Sequence, residues 1–291
     1  MSSSFLTRFA PSPTGYLHLG HAYAAYQAFE AARRADGTCL LRIEDIDQTR
    51  CRHEYTDAIY EDLAWLGFDW PRPVRVQSEH FIAYESALAR LEQIGVVYRC
   101  FLTRKELKAE LEKRGIAESP AGERPYPGPE RHMTEDETQA RLQAGQPFAW
   151  RLSLSRCRDL LGTAWQALSF RETGNAEGLS QGEVKARPEW LGDVVLARKD
   201  TPTSYHLACT HDDALQNIST VVRGVDLYHA THIHVLLQYL LGWQQPTYYH
   251  HRLVLGADGK KFSKSDRSKT IRAFRSEGIS PADMLRDWIK V

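Results

Sequence analysis

Short apolar segments alternate with amphipathic helical segments through the first hundred residues, and this alternation limits the folds open to the chain. The apolar segments have the length of strands and read "FLTRFA" (5–10), "TCLLRIEDID" (38–47) and "VVYRCF" (96–101). The segments with apolar residues at helical spacing lie at 21–37, 53–68 and 81–95. Strands that alternate with helices of this length are typical of a parallel sheet covered by helices. We therefore predict an α/β fold with a doubly wound parallel sheet.

The sequence changes character between about residues 100 and 185. A charged and proline-rich stretch, "LKAELEKRGIAESPAGERPYPGPERH" (107–132), precedes short strand-like segments such as "PFAWRLSLSR" (147–156). The α/β pattern resumes near residue 190. We predict four segments, namely the first half of the doubly wound α/β domain at 1–100, an inserted α+β subdomain at 101–187, the second half of the α/β domain at 188–245, and a basic loop with a short C-terminal helical segment at 246–291.

Composition argues against a membrane or a disulfide-stabilised protein. Hydrophobic residues make up 42% of the chain and charged residues 25%, and no apolar run approaches the roughly 20 residues that span a bilayer. The five cysteines (39, 51, 100, 157 and 209) are an odd, scattered set, which favours reduced thiols and a cytoplasmic protein. Basic and acidic residues number 37 each, so a nucleic acid would have to be bound through local basic patches.

The stretch "PSPTGYLHLGHA" (11–22) joins a predicted strand to a predicted helix. Its prolines and glycines disfavour a regular element through Gly15, and the helical pattern begins at His21. His18 and His21 are therefore expected at a helix N-terminus, where unpaired backbone N–H groups and the helix dipole favour phosphate. Taken alone, two histidines at such a position are more often capping or packing residues.

A second feature suited to phosphate lies near the C-terminus, in "LGADGKKFSKSDRSKTIRAFR" (255–275). Seven Lys or Arg residues lie between 260 and 275 against one acidic residue, Asp266. A solvated basic loop is the ordinary interpretation of such a run. Here Lys261 and Lys264 alternate with small polar residues after a glycine-bearing turn, which indicates a loop that closes on a polyphosphate with lysine as a point charge.

These two motifs carry a family resemblance. "HLGH" (18–21) and "KFSKS" (261–265) resemble the HIGH and KMSKS signatures of class I aminoacyl-tRNA synthetases. "RFAPSPTGYLHLGHA", "LRIEDID", "YHLACTHDD" and "VVRGVDL" resemble the glutamyl branch of that class, in the same order along the chain. The resemblance implies that the sheet is of the Rossmann type and that the chain activates L-glutamate with ATP and Mg²⁺. It implies catalytic roles for His18, His21, Lys261 and Lys264, and ATP binding by His18, Gly20, His21 and Lys264.

The resemblance also implies a glutamate site. Its residues would be Arg8, Phe9, Ala10, Pro11, Ser12, Glu44, Tyr205 and Arg223. These residue types suit the task, because a guanidinium can grip a carboxylate through two parallel hydrogen bonds and Glu44 can neutralise an ammonium group. Taken singly, Arg223 or Glu44 would more often form an ordinary salt bridge.

Members of the family often carry zinc in the insertion. The positions that match their zinc ligands are Cys100, Leu102, Tyr126 and Glu130. One thiolate remains, and leucine cannot bind a metal, so this set cannot complete a tetrahedral site. We predict that the insertion holds no zinc, and that otherwise His132 or Cys157 would have to take part.

The length of the chain bears on its RNA partner. Class I glutamyl-tRNA synthetases continue far beyond KMSKS into an anticodon-binding domain, whereas this sequence ends 26 residues after Ser265. We therefore expect no anticodon-binding domain and a monomer. The short architecture resembles stand-alone paralogues that transfer activated glutamate to queuosine in the anticodon loop of tRNA(Asp). Two alternatives stay open, a catalytic fragment of a longer synthetase and a non-catalytic tRNA-binding module.

Overall fold

The computed structural model describes residues 5–198, 200–254 and 269–289. Within these ranges the strands are β1 Leu6–Phe9, β2 Thr38–Ile43, β3 Arg75–Val76, β4 Val97–Cys100, β5 Ala149–Leu152, β6 Ser169–Glu172, β7 Gly182–Lys185, β8 Val195–Arg198, β9 Thr220–Gly224 and β10 Thr247–His251. The helices are α1 Leu19–Arg34, α2 His53–Trp65, α3 Phe81–Gln93, α4 Arg104–Lys113, α5 Glu135–Gln143, α6 Leu154–Leu161, α7 Ala164–Ala167, α8 Tyr205–Leu215, α9 Ala230–Leu241, α10 Ile271–Ser276 and α11 Pro281–Ile289.

A mostly parallel sheet forms the centre of the fold. β1 pairs in parallel with β2 and β2 with β3, while β10 pairs in parallel with both β9 and β6, and β7 adds an antiparallel edge. The two groups meet where β9 lies beside β1, and the Ser219 N–H donates to the Leu6 carbonyl there at 2.9 Å. The strand order is thus β3-β2-β1-β9-β10-β6-β7, and the α/β class with a parallel sheet is confirmed.

Helices cover both faces of this sheet. Neighbouring residues of β9, Val221 and Val222, belong to different core clusters, and so do Tyr248 and Tyr249 of β10. Because successive side chains of a strand point to opposite faces, each face has its own core. One cluster includes residues of α1 and α2 and the other residues of α3, α8 and α9. No helix in the described part of the chain is long and apolar enough to cross a membrane.

Strand pairing crosses the predicted segment boundaries at 100 and 187. β4 and β8 both pair with β5 in a separate antiparallel sheet. β6 and β7, from the predicted insertion, instead extend the central sheet through the pairing of Glu172 with Tyr248. Sequence periodicity marks a strand but carries no information on its partner, which depends on contacts between distant parts of the chain.

Candidate active site

A cavity of about 420 Å³ opens at the carboxyl ends of β1, β2 and β9, beside the N-terminus of α1. This is the point where the strand order reverses, and ligands of open α/β sheets bind at such a point. The residues predicted for substrate binding that line the cavity are Arg8, Phe9, Ala10, Pro11, Ser12, His18, Gly20, His21, Glu44, Tyr205 and Arg223. The predicted phosphate-binding Lys261 and Lys264 lie outside the described residues.

The two histidines cap α1 reciprocally. His18 Nδ1 accepts a hydrogen bond from the Gly20 N–H at 3.1 Å, and His21 Nδ1 accepts one from the His18 N–H at 3.2 Å. The ring centroids are 3.8 Å apart. Since each Nδ1 acts as an acceptor, the proton of each neutral imidazole is on Nε2. The cap therefore accounts for Nδ1 of each ring, and the N–H of each ring is on Nε2.

A buried cluster of charges begins at the cavity wall, with Arg8 and Glu44, and extends behind it. Arg8 donates to both carboxylate oxygens of Asp213, at 2.8 and 3.2 Å, and Arg42 donates to Asp213 at 2.8 Å and to Glu44 at 3.0 Å. Burial alone would raise the pKa of Asp213, but the two guanidinium groups outweigh it and lower that pKa to about 2. Burial raises the pKa of Glu44 in spite of Arg42. The charge of Arg8 is thus balanced inside the protein, and its pairing with a substrate carboxylate stays a prediction.

Arg223 has a different environment. Its guanidinium donates to Thr231 Oγ1 at 2.7 Å, His250 Nε2 at 3.1 Å and the Tyr205 hydroxyl at 3.2 Å, and it lies 3.4 Å from His234 Nδ1. Within the described ranges, none of these hydrogen-bond partners is a carboxylate. Arg223 therefore presents a positive charge to the cavity, and no acidic group among the described residues is bonded directly to it.

Sequence reasoning did not single out several residues of the cavity. These include Tyr23, Gly224, Asp226, His251, Leu253 and Val254. The motif "VVRGVDL" contains two of them, and a Cβ at Gly224 would lie 2.5 Å from Asp226 Oδ1, so a larger residue there would displace the Asp226 side chain. Arg42 lies within "LRIED", but nothing in the sequence indicates that it bonds to Asp213, which is 171 residues away.

A second cavity of about 550 Å³ adjoins the first. Ser12, Glu44 and Tyr205 line both cavities. The arginines that line the second cavity come from distant parts of the chain and are Arg50, Arg124, Arg151 and Arg198. The side of the first cavity that these three residues form therefore connects with a larger, arginine-bearing space that extends to the inserted segment.

The residues at the family's zinc positions gather around a third cavity of about 540 Å³. They are Cys100, Leu102, Tyr126 and Glu130, and His132 lines the same cavity. Tyr126 is held through its main chain, whose carbonyl accepts from the Asp193 N–H at 2.6 Å. In the described part of the chain no three His, Cys, Asp or Glu residues are arranged to hold a metal ion. This donor set does not fit zinc, since it offers one thiol and no tetrahedral arrangement.

Comparisons with known proteins agree on one family. The model of the catalytic domain of class I tRNA synthetases (E and Q) matches residues 4–290. The Glutamyl-Q tRNA(Asp) synthetase of Rhodobacter capsulatus is 44% identical over 288 residues, which cover 97% of this chain and 98% of that protein. The glutamate–tRNA ligase of Aquifex aeolicus is 37% identical over 96% of this chain, which spans 55% of that protein. The crystal structure of the glutamate–tRNA synthetase of Elizabethkingia anophelis superimposes with a TM-score of 0.71 at 27% identity, over 95% of this chain and 54% of that one.

Proposed function

Because this chain belongs to the class I tRNA synthetases of the glutamate and glutamine type, a family of ligases, we propose that it activates L-glutamate with ATP in the absence of tRNA. We further propose that it acts as a monomer and transfers the glutamate to queuosine in the anticodon loop of tRNA(Asp). One observation supports the activation step. A single cavity contains both the paired imidazoles at the N-terminus of α1 and the guanidinium of Arg223, which has no directly bonded carboxylate within the described part of the chain.

In the activation step, the α-carboxylate of glutamate attacks the α-phosphorus of ATP in line. An oxygen–phosphorus bond forms to give glutamyl-adenylate, and pyrophosphate leaves. No general base is needed, because the carboxylate is already ionised at neutral pH. The Nε2–H groups of His18 and His21 donate to the phosphoryl oxygens where negative charge develops. Lys261 and Lys264 are assigned to the departing phosphates on the sequence motif alone.

Magnesium would bind to the triphosphate of ATP. A protein usually holds Mg²⁺ through one or two carboxylates together with substrate phosphates, and the acidic residues that line the cavity are Glu44 and Asp226. Glu44 already accepts from Arg42, so Asp226 is the residue that would hold the ion. The bound ion would neutralise negative charge on the phosphates.

The second cavity suits the acceptor. A hydroxyl of the cyclopentene diol of queuosine attacks the carbonyl carbon of the adenylate, the bond from that carbon to the phosphate oxygen breaks, and AMP leaves with the hydroxyl proton passing to solvent. Bases of a single-stranded loop can be extruded and bound in this way. The relative named Glutamyl-Q tRNA(Asp) synthetase matches over nearly its whole length, which supports this acceptor over the 3′ end of tRNA(Glu).

Pyrophosphate exchange tests the activation step. With ATP, Mg²⁺ and no tRNA, we expect exchange with glutamate and at least tenfold less with glutamine or aspartate. A site that pairs a side-chain carboxylate leaves its cation unpaired when an amide binds. Equal exchange with glutamine would refute the assigned substrate. An absence of exchange with any of the three would favour the non-catalytic module.

Labelling of tRNA tests the acceptor. We expect radioactive glutamate to enter tRNA(Asp) from cells that make queuosine, and not the same tRNA from cells that lack it. The second candidate function is the catalytic part of a glutamate–tRNA ligase, because the chain spans about half the length of several such relatives. Efficient charging of tRNA(Glu) at its 3′ end would decide for that alternative.

A further inference from the structure

Arg223 is held from behind by residues of two neighbouring strands. His250 on β10 is the register partner of Arg223 on β9, and its Nε2 accepts from Arg223 Nε at 3.1 Å. The opposite ring nitrogen of His250 lies 2.5 Å from Oε2 of Glu172, the last residue of β6. The chain of contacts therefore crosses three adjacent strands and ends at the wall of the cavity.

The proton positions along this chain of contacts follow from the donors. The guanidinium of Arg223 can only donate, so His250 Nε2 is an acceptor and the ring proton is on Nδ1, where it donates to Glu172. Burial lowers the pKa of His250 to about 4, although the contact with Glu172 acts in the opposite direction. Burial alone would raise the pKa of Glu172, but its hydrogen bonds from His250 outweigh it and that pKa is lowered. A neutral imidazole thus lies between a carboxylate and a guanidinium.

The protein backbone is shaped to hold Glu172. Its Oε1 accepts from the Gly174 N–H at 2.7 Å and from the His250 N–H at 3.1 Å, and its side chain is fully buried. A Cβ at Gly174 would lie 2.2 Å from the His250 carbonyl oxygen and 2.6 Å from Glu172 Oε1. Every carboxylate oxygen has a donor, which is expected of a buried charge that must keep one orientation.

We propose that Glu172 and His250 are positioning residues, which fix the guanidinium of Arg223 in the orientation that grips a carboxylate of glutamate. The proposal rests on the function proposed above. An arginine with four rotatable side-chain bonds loses affinity for a carboxylate when its plane is not fixed. The imidazole fixes that plane and adds no positive charge, and Glu172 fixes the imidazole.

Steady-state pyrophosphate exchange with four variants tests the proposal. His250→Phe keeps a ring and removes both hydrogen bonds, so we expect the KM for glutamate to rise about tenfold while the KM for ATP stays within twofold. Glu172→Gln keeps the side-chain shape, and we expect a rise of about threefold. His250→Gln returns an acceptor to the guanidinium and should recover part of the loss. His232→Phe is the matched control, because His232 is equally buried on α9 and, in the described part of the chain, bonds to the Arg187 N–H and not to Arg223.

Calorimetric titration of glutamate without ATP separates this proposal from the proposed function. If the wild-type protein binds no glutamate and shows no exchange, the proposed function fails, and the assigned role falls with it. If the wild type binds glutamate and a folded His250→Phe or Glu172→Gln variant binds it equally well, the positioning role alone is overturned. Equal increases in KM for glutamate and ATP would show general structural damage and would also overturn it. Thermal melts establish which variants are folded. If His250→Phe is not folded, Glu172→Gln alone tests the positioning role.

Discussion

Glu30 and Asp213 both have a pKa lowered to about 2, yet the loss of each carboxylate should have a very different effect on stability. The side-chain hydrogen bond from Arg33, with support from Arg34, lowers the pKa of Glu30, and both arginines are mostly exposed. Asp213 owes its lowered pKa to Arg8 and Arg42, against the effect of burial, and all three side chains are buried.

We expect Asp213→Asn to lower the free energy of unfolding at pH 7 by about 3–5 kcal/mol, because the change leaves two buried guanidinium groups without their shared partner. Glu30→Gln should cost less than about 1 kcal/mol, since solvent screens an exposed pair. Urea denaturation of both variants beside the wild type measures the difference. Similar losses for the two variants would show that burial does not govern the strength of these pairs.

The same ion pair predicts a pH dependence. The pKa of Asp213 is lower in the folded chain than its ordinary value of about 3.9 in an unfolded one. The pair therefore contributes stability above about pH 4, and this contribution is lost as the pH falls towards about 2. The stability gap between wild type and Asp213→Asn should shrink over that interval in urea titrations at stepped pH. A gap that stays constant down to pH 2.5 would contradict the assignment.

At this scale the structure brings residues that the sequence singled out to one cavity, but the sequence did not predict which of them pair with each other. Arg8 and Arg223 were equivalent candidates for a carboxylate, since each follows from a family motif. Their difference depends on Asp213, 205 residues from Arg8 along the chain, and on Glu172, 78 residues from His250. No periodicity or spacing records such a pairing, because it arises when separate strands come together.

At the scale of single elements, the N-terminus of α1 combines two roles in one side chain. His18→Asn should keep the cap, because asparagine is among the best capping residues, and stability should change by less than about 0.5 kcal/mol. The same change removes the Nε2–H donor, so pyrophosphate exchange should fall by about a hundredfold. His18→Ala loses both cap and donor. Exchange at the wild-type rate in a folded His18→Asn variant would leave His18 with a capping role alone.

The contacts around the inserted segment lead to a prediction about its zinc content. Asp193 organises this part of the protein, as its carboxylate accepts from the Tyr98 hydroxyl and the Leu154 N–H, each at 2.9 Å. These contacts tie β4 and the start of α6 to the segment before β8. We expect elemental analysis of protein purified without chelator to find less than about 0.1 equivalent of zinc, because a four-ligand site here would lack its donors.

Stoichiometric zinc would contradict this expectation. It would point to His132, whose Nε2 lies 3.4 Å from Ser153 Oγ, or to the buried Cys157, whose pKa burial raises. A His132→Asn variant would then lose the metal, whereas Cys39→Ser, which changes a thiol on β2, would keep it.

For the molecule as a whole, the alternation of strands and helices was enough to predict a parallel sheet. It could not predict that β6 pairs within that sheet, whereas β4 and β8 pair with β5 in a separate one. Strand-forming sequence is the same in both sheets. This strand pairing affects the residues around the cavity. Glu172 lies on β6, so the segment first assigned to the insertion supplies a residue behind Arg223. Residues of the family motifs line the cavity, and the strand order explains why these distant motifs lie together.

The two adjoining cavities predict that activation and transfer can be separated by mutation. Arg124 lines only the second cavity, is exposed, and belongs to the inserted segment, so its replacement should not disturb the fold. We expect Arg124→Gln to leave glutamate-dependent pyrophosphate exchange within twofold of the wild type. Glutamylation of queuosine-containing tRNA(Asp) should weaken several-fold, and the slope of log affinity against log salt should fall in magnitude by about one, because one phosphate contact is lost. Arg33→Gln is the matched control, since Arg33 is an exposed arginine that lines neither cavity. If both variants weaken tRNA binding equally, general basic charge explains it, and the second cavity has no particular part in binding the acceptor.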